Sequence, residues 1–387
     1  MKKIYKYFFI LLFLISFLLM AKVIFNNGYP DFSNFYQGPL VYSRGLNPYI
    51  FNINLFTPTT YPPVIFWLFS ILNFLSYTTA SKIWTILSIS SLILSLILIF
   101  KFYTKKLFSS ENLFLSSLVF FAFPIKFTLG MGQINIFILL LLTLFLYFLE
   151  KSKFKSSLFL GISLLLKLFP LFIIVYLILK RQLKILVITL MVVLIGVLIT
   201  FFLIKPEINL YFFQKVLPTL VDSWKGDYYN QSLSGLIVRA NINPDIRNLV
   251  RDILSLLILT PSLLIVILNK NKDKYAQHLE VGIIITVSLL LNSFSWQHHF
   301  VWLTIPFLGT YFFIKRNSNN KKALMTVLFC AYLLISLNLK TPQSFPIILQ
   351  SHVFSGTLIL LLLELNLINT QEKIINKQLS GKPKNIS

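Results

Sequence analysis

The sequence predicts an all-α fold: one polytopic membrane-embedded helical bundle with about ten full spans and two short re-entrant or broken helices. Three observations carry this reading. Of 387 residues, 56% are hydrophobic and only 12% are charged, whereas about a quarter of a soluble domain is charged. Apolar runs at 7–25, 185–204 and 323–339 are long enough to cross about 30 Å of hydrocarbon. The basic residues fall mainly in short clusters between such runs, at Lys101/Lys105/Lys106, Lys151/Lys153/Lys155, Lys180/Arg181/Lys184, Lys270/Lys272/Lys274 and Lys315/Arg316/Lys321/Lys322, and in a tail with Lys373, Lys377, Lys382 and Lys384. Excess lysine and arginine in short loops marks the cytoplasmic side.

Fixing every cluster inside allows the spans to be threaded in order. Residues 7–26 go out as a retained first helix, because the run is longer than a signal-peptide core and lacks a clear small-residue cleavage site. An outer segment, 27–60, follows. The helix 80–100 returns, 113–129 goes out, 134–150 returns and 183–204 goes out to a second long outer segment, 205–247. The helix 248–269 returns, and 279–294, 298–314, 323–338 and 351–370 complete the alternation with both termini cytoplasmic. Two apolar segments do not fit as full spans. Residues 61–77 open with Tyr61-Pro62-Pro63, and 156–179 carries Lys167 and Pro170 at its middle. Proline removes a backbone donor and breaks a helix, and broken helices at membrane depth are tolerated where they are buried in protein or line a wet cavity.

The net charge of +23 does not indicate nucleic-acid binding, because it is dispersed among these loops. The one cysteine, Cys330, lies in an apolar run, so there is neither a disulfide framework nor a zinc pattern. The sequence has no Gly-rich nucleotide fingerprint, no G-x-S-x-G elbow and no H-E-x-x-H helix. No segment is long enough for a soluble nucleotide-binding domain, and no cofactor or metal is called for.

Chemistry is therefore sought in polar groups that are costly where they sit. An ionisable side chain within a span costs about 2.5–3.5 kcal/mol on insertion scales. Lys126, Lys167 and Glu364 qualify. Lys126 stands near an outer helix end, from which it can snorkel, and Glu364 lies close to the tail as a structural group. Lys167, about a dozen residues from either basic cluster, must face protein, water or an anion. His298 and His299 follow Trp296-Gln297 at an outer helix mouth; they suit either an interfacial cap or phosphate contact and proton exchange. The outer segments mix aromatic residues, Asn and Pro with few acids: Asp31 in the first, chiefly Asp222 and Asp227 in the second. Glycosyl transfer from a lipid phosphate needs cations where charge grows on the leaving phosphate and a base for the acceptor hydroxyl. The residue set is compatible with that chemistry, and equally with a transporter or flippase of lipid-linked saccharides.

The motifs taken together resemble glycosyltransferase family 87, the integral-membrane GT-C class that includes polyprenol-phosphate-mannose-dependent phosphatidylinositol mannosyltransferases. The resemblance runs from about residue 28 to 306. It rests on Asp31 with Phe35-Tyr36, Gly45-Leu46-Asn47-Pro48-Tyr49, Tyr61-Pro62-Pro63, Gly132-Gln133-Ile134-Asn135, Gly161, Lys167-Leu168-Phe169-Pro170, Asn230-Gln231-Ser232 with Arg239, and Ser295-Trp296-Gln297-His298-His299 with Pro306. It implies a single GT-C domain, 1–387, with its site on the extracytoplasmic face of the plasma (inner) membrane, roofed by the two outer segments. It implies a polyprenyl-phosphate-linked hexose donor, mannose by default, a glycolipid or glycan acceptor, and transfer with inversion. Asp31 would be the general base. Lys167, Arg239, His298 and His299 would serve the phosphate, and Tyr61, Gln133, Asn135, Asn230 and Gln231 the sugars.

Overall fold

A computed structural model describes residues 2–26, 28–50, 59–221, 224–271 and 273–380. Asp222, Lys272, Lys382 and Lys384 lie outside the described residues, as do residues 51–58 of the first outer segment. The described residues are helical throughout, apart from turns and an isolated antiparallel bridge between Asn230 and Trp296.

Among the described residues, six helices are long and apolar enough to cross a membrane: Tyr5–Phe25, Tyr77–Tyr103, Leu183–Leu203, Pro244–Leu268, Lys274–Leu291 and His352–Thr370. A seventh is counted if Ser110–Phe121 and Phe123–Met131, bent by 55° at Ala122, form one span; Pro124 in the first turn of the second helix explains the break. Helix length alone does not give the ten full spans expected. Asn135–Phe148 and Thr304–Asn317 have 14 residues each and Lys321–Ser336 has 16, fewer than the ~20 of a standard span. The run 298–314 is shortened because Gln297–Leu303 winds as a 3₁₀-helix before Thr304.

The two irregular segments are both broken. After Pro62-Pro63 comes only a seven-residue helix, Val64–Ser70, closed by the 3₁₀ turn Ile71–Phe74. The helix Lys153–Leu166 stops at Lys167, whose backbone is extended (φ −157°, ψ 123°), and the chain restarts through the 3₁₀ turn Phe169–Leu171 into Phe172–Leu179. Pro170 within that turn has no N–H to continue the first helix.

Lys274–Leu291 is the central helix, buried along most of its length, while Leu183–Leu203 and Pro244–Leu268 leave most of their apolar surface exposed. Such lipid-type exposure on a continuous apolar helix is what a bilayer solvates. Two polar clasps hold the central helix. Lys180 Nζ donates to Glu280 Oε1 at 2.5 Å and to the carbonyls of Val266 and Asn269. Thr286 Oγ1 donates to Glu364 Oε2 at 3.0 Å, fixing the last long helix beside it.

The two segments expected to be outer loops touch one another. The helix Pro30–Ser43 leads to Tyr49, whose ring stacks on Tyr211 at 6.2 Å and packs on Phe212 at 5.7 Å. The Lys205 backbone N–H donates to the Tyr42 hydroxyl. Tyr49, Phe66, Ile204, Ile208 and Phe212 thus form a small apolar core of their own.

Candidate active site

Asp31 occupies the first turn of Pro30–Ser43, where Pro30 pre-sets the helix entry. The partial positive charge of a helix N-terminus favours a carboxylate there. Phe32 and Phe35 on the same helix are fully buried, Phe35 against Tyr61 (4.7 Å) and Phe69 (4.8 Å), Phe32 against Trp84 (6.1 Å). This packing fixes the helix, and with it the carboxylate.

Gln133 meets Asp31 because of Gly132. That glycine has φ +71°, and a Cβ on it would lie 2.5 Å from Phe32 Cβ; a side chain here would meet both backbone strain and a clash. Its carbonyl accepts from Trp84 Nε1 at 2.8 Å. Gln133 Nε2 then donates to Asp31 Oδ2 at 2.6 Å, and the Tyr61 hydroxyl donates to Gln133 Oε1. The Tyr61 carbonyl accepts from the Tyr49 hydroxyl at 2.7 Å, so the Tyr-Pro-Pro and Asn-Pro-Tyr motifs are joined.

The Lys167 ammonium lies 5.3 Å from the centre of the Tyr61 ring and donates to Asn135 Oδ1 at 2.9 Å. The helix ends at Leu166, and the extended backbone at Lys167 carries its side chain to Asn135. Asn135 Nδ2 donates to the His298 carbonyl at 3.1 Å, and Thr128 Oγ1 donates to the same carbonyl at 3.0 Å. Trp302 Nε1 donates to the Asn135 carbonyl at 2.9 Å. The His298 and His299 rings are 4.5 Å apart, and Phe169 packs on His299 at 4.8 Å. The Trp296 backbone N–H donates to His299 Nδ1 at 3.1 Å. A neutral His299 accepting there carries its proton on Nε2, which is left as a donor.

Asp31, Tyr61, Gln133, Asn135, Lys167, His298 and His299 are therefore one connected group drawn from five separate stretches of sequence. Burial raises the Asp31 carboxyl to about pH 6, against the Gln133 hydrogen bond and the charge of Lys167, both of which hold it down. A carboxylate tuned toward neutrality, with an ammonium nearby, can accept a proton on one side of a substrate while positive charge is offered on the other.

The other three predicted residues lie apart and spend their polar atoms on the protein. Asn230 donates to the Lys225 and Ser293 carbonyls and accepts from the Ser232 and Ser295 backbone N–H groups. Gln231 donates to the Tyr228 and Gln350 carbonyls and accepts from the Phe354 N–H. Arg239 donates to Ser351 Oγ and to the carbonyls of Asp227 and Asn230. Asn230 ties Ser293 and Ser295 in place, while the Gln231 and Arg239 side chains tie residues 350–354; none of these contacts reaches the Asp31 group. Lys126 is exposed, its ammonium over the Phe121 ring. Residue type alone gave no notice of Trp84 and Thr128, which brace Gly132 and His298, nor of Glu280, the buried partner of Lys180.

No curated protein matches the chain. A family model, glycosyltransferase family 87, matches residues 59–293. The matched stretch carries Tyr61, Gln133, Asn135, Lys167, Asn230, Gln231 and Arg239, while Asp31 and the two histidines flank it and join the site through the contacts above. With more than half of its length matched and a helical architecture suited to the bilayer, the chain belongs to glycosyltransferase family 87 and is a membrane-type helical glycosyltransferase.

Proposed function

We propose that this glycosyltransferase moves a hexosyl group, mannose being the family default, from a polyprenyl phosphate to a hydroxyl of a glycolipid or glycan acceptor, with inversion at the anomeric carbon. One observation carries the reading: the desolvated Asp31 carboxylate and the Lys167 ammonium belong to a single network through Gln133, Tyr61 and Asn135.

The acceptor hydroxyl gives its proton to Asp31 as its oxygen bonds to the anomeric carbon. The bond from that carbon to the phosphate oxygen breaks, and its electron pair leaves with the phosphate. Negative charge then grows on the phosphate, where Lys167 and the Nε2–H of His299, with His298 beside them, supply fixed positive charge and donors. Removing one such preorganised donor typically costs about 10²–10³ in rate. Tyr61, Gln133 and Asn135 fix the acid and the ammonium through their own hydrogen bonds and would meet the sugars only by exchanging them. Asn230 and the Gln231 backbone N–H support the loop that carries the histidines, and Arg239 braces Asn230 against Ser351.

We assign the lysine clusters to the cytoplasm, which puts both termini inside the plasma (inner) membrane and the Asp31 group on its outer face. The shortened helices 135–148, 304–317 and 321–336 would complete about ten crossings, with the two joined outer segments as the roof of a single catalytic domain. The test is purified protein in detergent, incubated with polyprenyl-phosphate hexoses and a panel of glycolipid and glycan acceptors. Wild type forms labelled product and Asp31→Asn forms it about 10²–10⁴-fold more slowly while remaining folded. Movement of intact lipid-linked sugar across reconstituted vesicles, with no covalent product, would make the protein a transporter instead.

A further inference from the structure

Five buried side-chain polar atoms without a hydrogen-bond partner fall on four consecutive residues: Ser295 Oγ, Trp296 Nε1, both amide atoms of Gln297, and His298 Nδ1. Gln297 and Ser295 are fully buried. Buried polar groups are nearly always paired with protein, a ligand or ordered water, so a run of unpaired ones marks a place where a polar molecule would bind. The backbone of this stretch is, by contrast, held on every side. The Gln231 N–H donates to the Ser295 carbonyl at 2.8 Å, the Gln297 N–H donates to the Tyr229 carbonyl at 2.9 Å, and Asn230 Oδ1 takes the Ser295 N–H. The Trp296 ring is stacked on Tyr229. A loop whose main chain is so fixed, with its side-chain valences unspent, is preorganised for a ligand.

The atoms specify the kind of ligand. The indole N–H donates only, the amide both donates and accepts, and the hydroxyl does either. A phosphodiester offers acceptors alone and leaves Gln297 Oε1 unpaired. A sugar hydroxyl gives one proton and accepts others, and a vicinal pair can satisfy both ends of one amide. The stretch ends at His298, whose carbonyl is bonded to Asn135 and hence to Lys167, so the strip adjoins the reacting group.

We propose that residues 295–298 form a sugar-hydroxyl recognition strip and that Gln297 is its main specificity determinant. This rests on the glycosyl-transfer reading above. The shared chemistry is a pyranose with neighbouring hydroxyls, borne by either the donor or the acceptor.

Gln297→Leu keeps the size of the side chain and removes its polar atoms. Its thermal midpoint in detergent is expected to equal or exceed that of wild type, with kcat/KM for transfer from a polyprenyl-phosphate hexose lowered at least about tenfold, the loss of one good hydrogen bond. A rise in KM confined to the donor assigns the strip to the transferred sugar, and a rise confined to the acceptor assigns it to the acceptor sugar. Unchanged kinetics toward both overturn the proposal. If Gln297→Leu is destabilised, Gln297→Glu is measured in its place, and an unaltered preference among hexose donors and acceptors by that variant also overturns it. Should wild type transfer nothing, titration of Trp296 fluorescence with the same polyprenyl-phosphate hexose separates the two failures. A saturable change absent from Gln297→Leu keeps the strip and removes only the enzyme. No change in wild type removes both.

Discussion

Gln133 donates to Asp31 across 102 positions of sequence, at 2.6 Å, and accepts from Tyr61 with its other amide atom. Its two ends are used in opposite senses, so the amide cannot flip without putting its carbonyl against the carboxylate. Gln133→Leu removes the hydrogen bond that holds the Asp31 carboxyl down, so the acidic limb of kcat/KM against pH should move to higher pH. A drop of about 10- to 100-fold in kcat is expected where general-base catalysis contributes about 10²–10⁴. An unmoved limb would separate Gln133 from the base.

Asp31→Asn should lower transfer by about 10²–10⁴-fold, the contribution of a general base, with helical circular dichroism unchanged. The same substitution should stabilise the protein. Burial raises this carboxyl from 3.8 to about 6, so its favourable contribution is present below pH ~4 and is lost as pH rises through ~6. At pH 7.5 the wild type holds a desolvated charge that asparagine lacks, and a gain of about 1–3 kcal/mol follows from a shift of this size. Thermal unfolding at pH 7.5 and at pH 4.5 checks the sign, because the gain should shrink at the lower pH.

For the wild type, kcat/KM should fall as the medium is acidified through about pH 6, the value to which burial raises Asp31. An ordinary exposed aspartate would titrate about two units lower. A profile flat down to pH 4.5 would remove Asp31 as the base.

Lys167→Met should lower kcat by about 10²–10³-fold with little change in acceptor KM, as expected for a donor used mainly in the transition state. Lys167→Arg should recover part of this, since the charge is kept while the compact ammonium at Asn135 is replaced by a planar fork. Equal rates for Met and wild type would exclude a phosphate role.

Arg239→Met distinguishes anchoring from substrate binding. It leaves Ser351, Asp227 and Asn230 without their donor, and the expected loss is about 1–3 kcal/mol in unfolding. Donor KM should stay near the wild-type value at temperatures where the variant is folded. A large KM increase in a fully stable variant would return Arg239 to the phosphate.

How much could be read in the sequence follows from what each residue type dictates. The break at Lys167 was legible because a lysine and a proline inside an apolar run leave few alternatives. Asp31 stood out as the one acid of the first outer segment, whereas Gln133 and Asn135 entered only through the motifs that resemble the family. Asn230, Gln231 and Arg239 look the same by type, yet a sequence does not tell whether an amide spends its valences on backbone carbonyls or keeps them free. That difference is tertiary, and it is what divides Asn230 from Gln297. Span counting ran ahead of helix length because an apolar run records hydrophobicity, not continuity: 298–314 is apolar enough, but its first turns are 3₁₀. Glu280 escaped attention beside a basic loop, although Lys180, 100 positions earlier, is its partner.

The bond from Asn135 to the His298 carbonyl spans 163 positions. A nascent chain emerging from the ribosome therefore holds its acid long before it holds the histidines, and the first helices must wait in the bilayer without the polar partners they will bury. On the proposed function, the site is complete only once translation has passed the central helix, Lys274–Leu291.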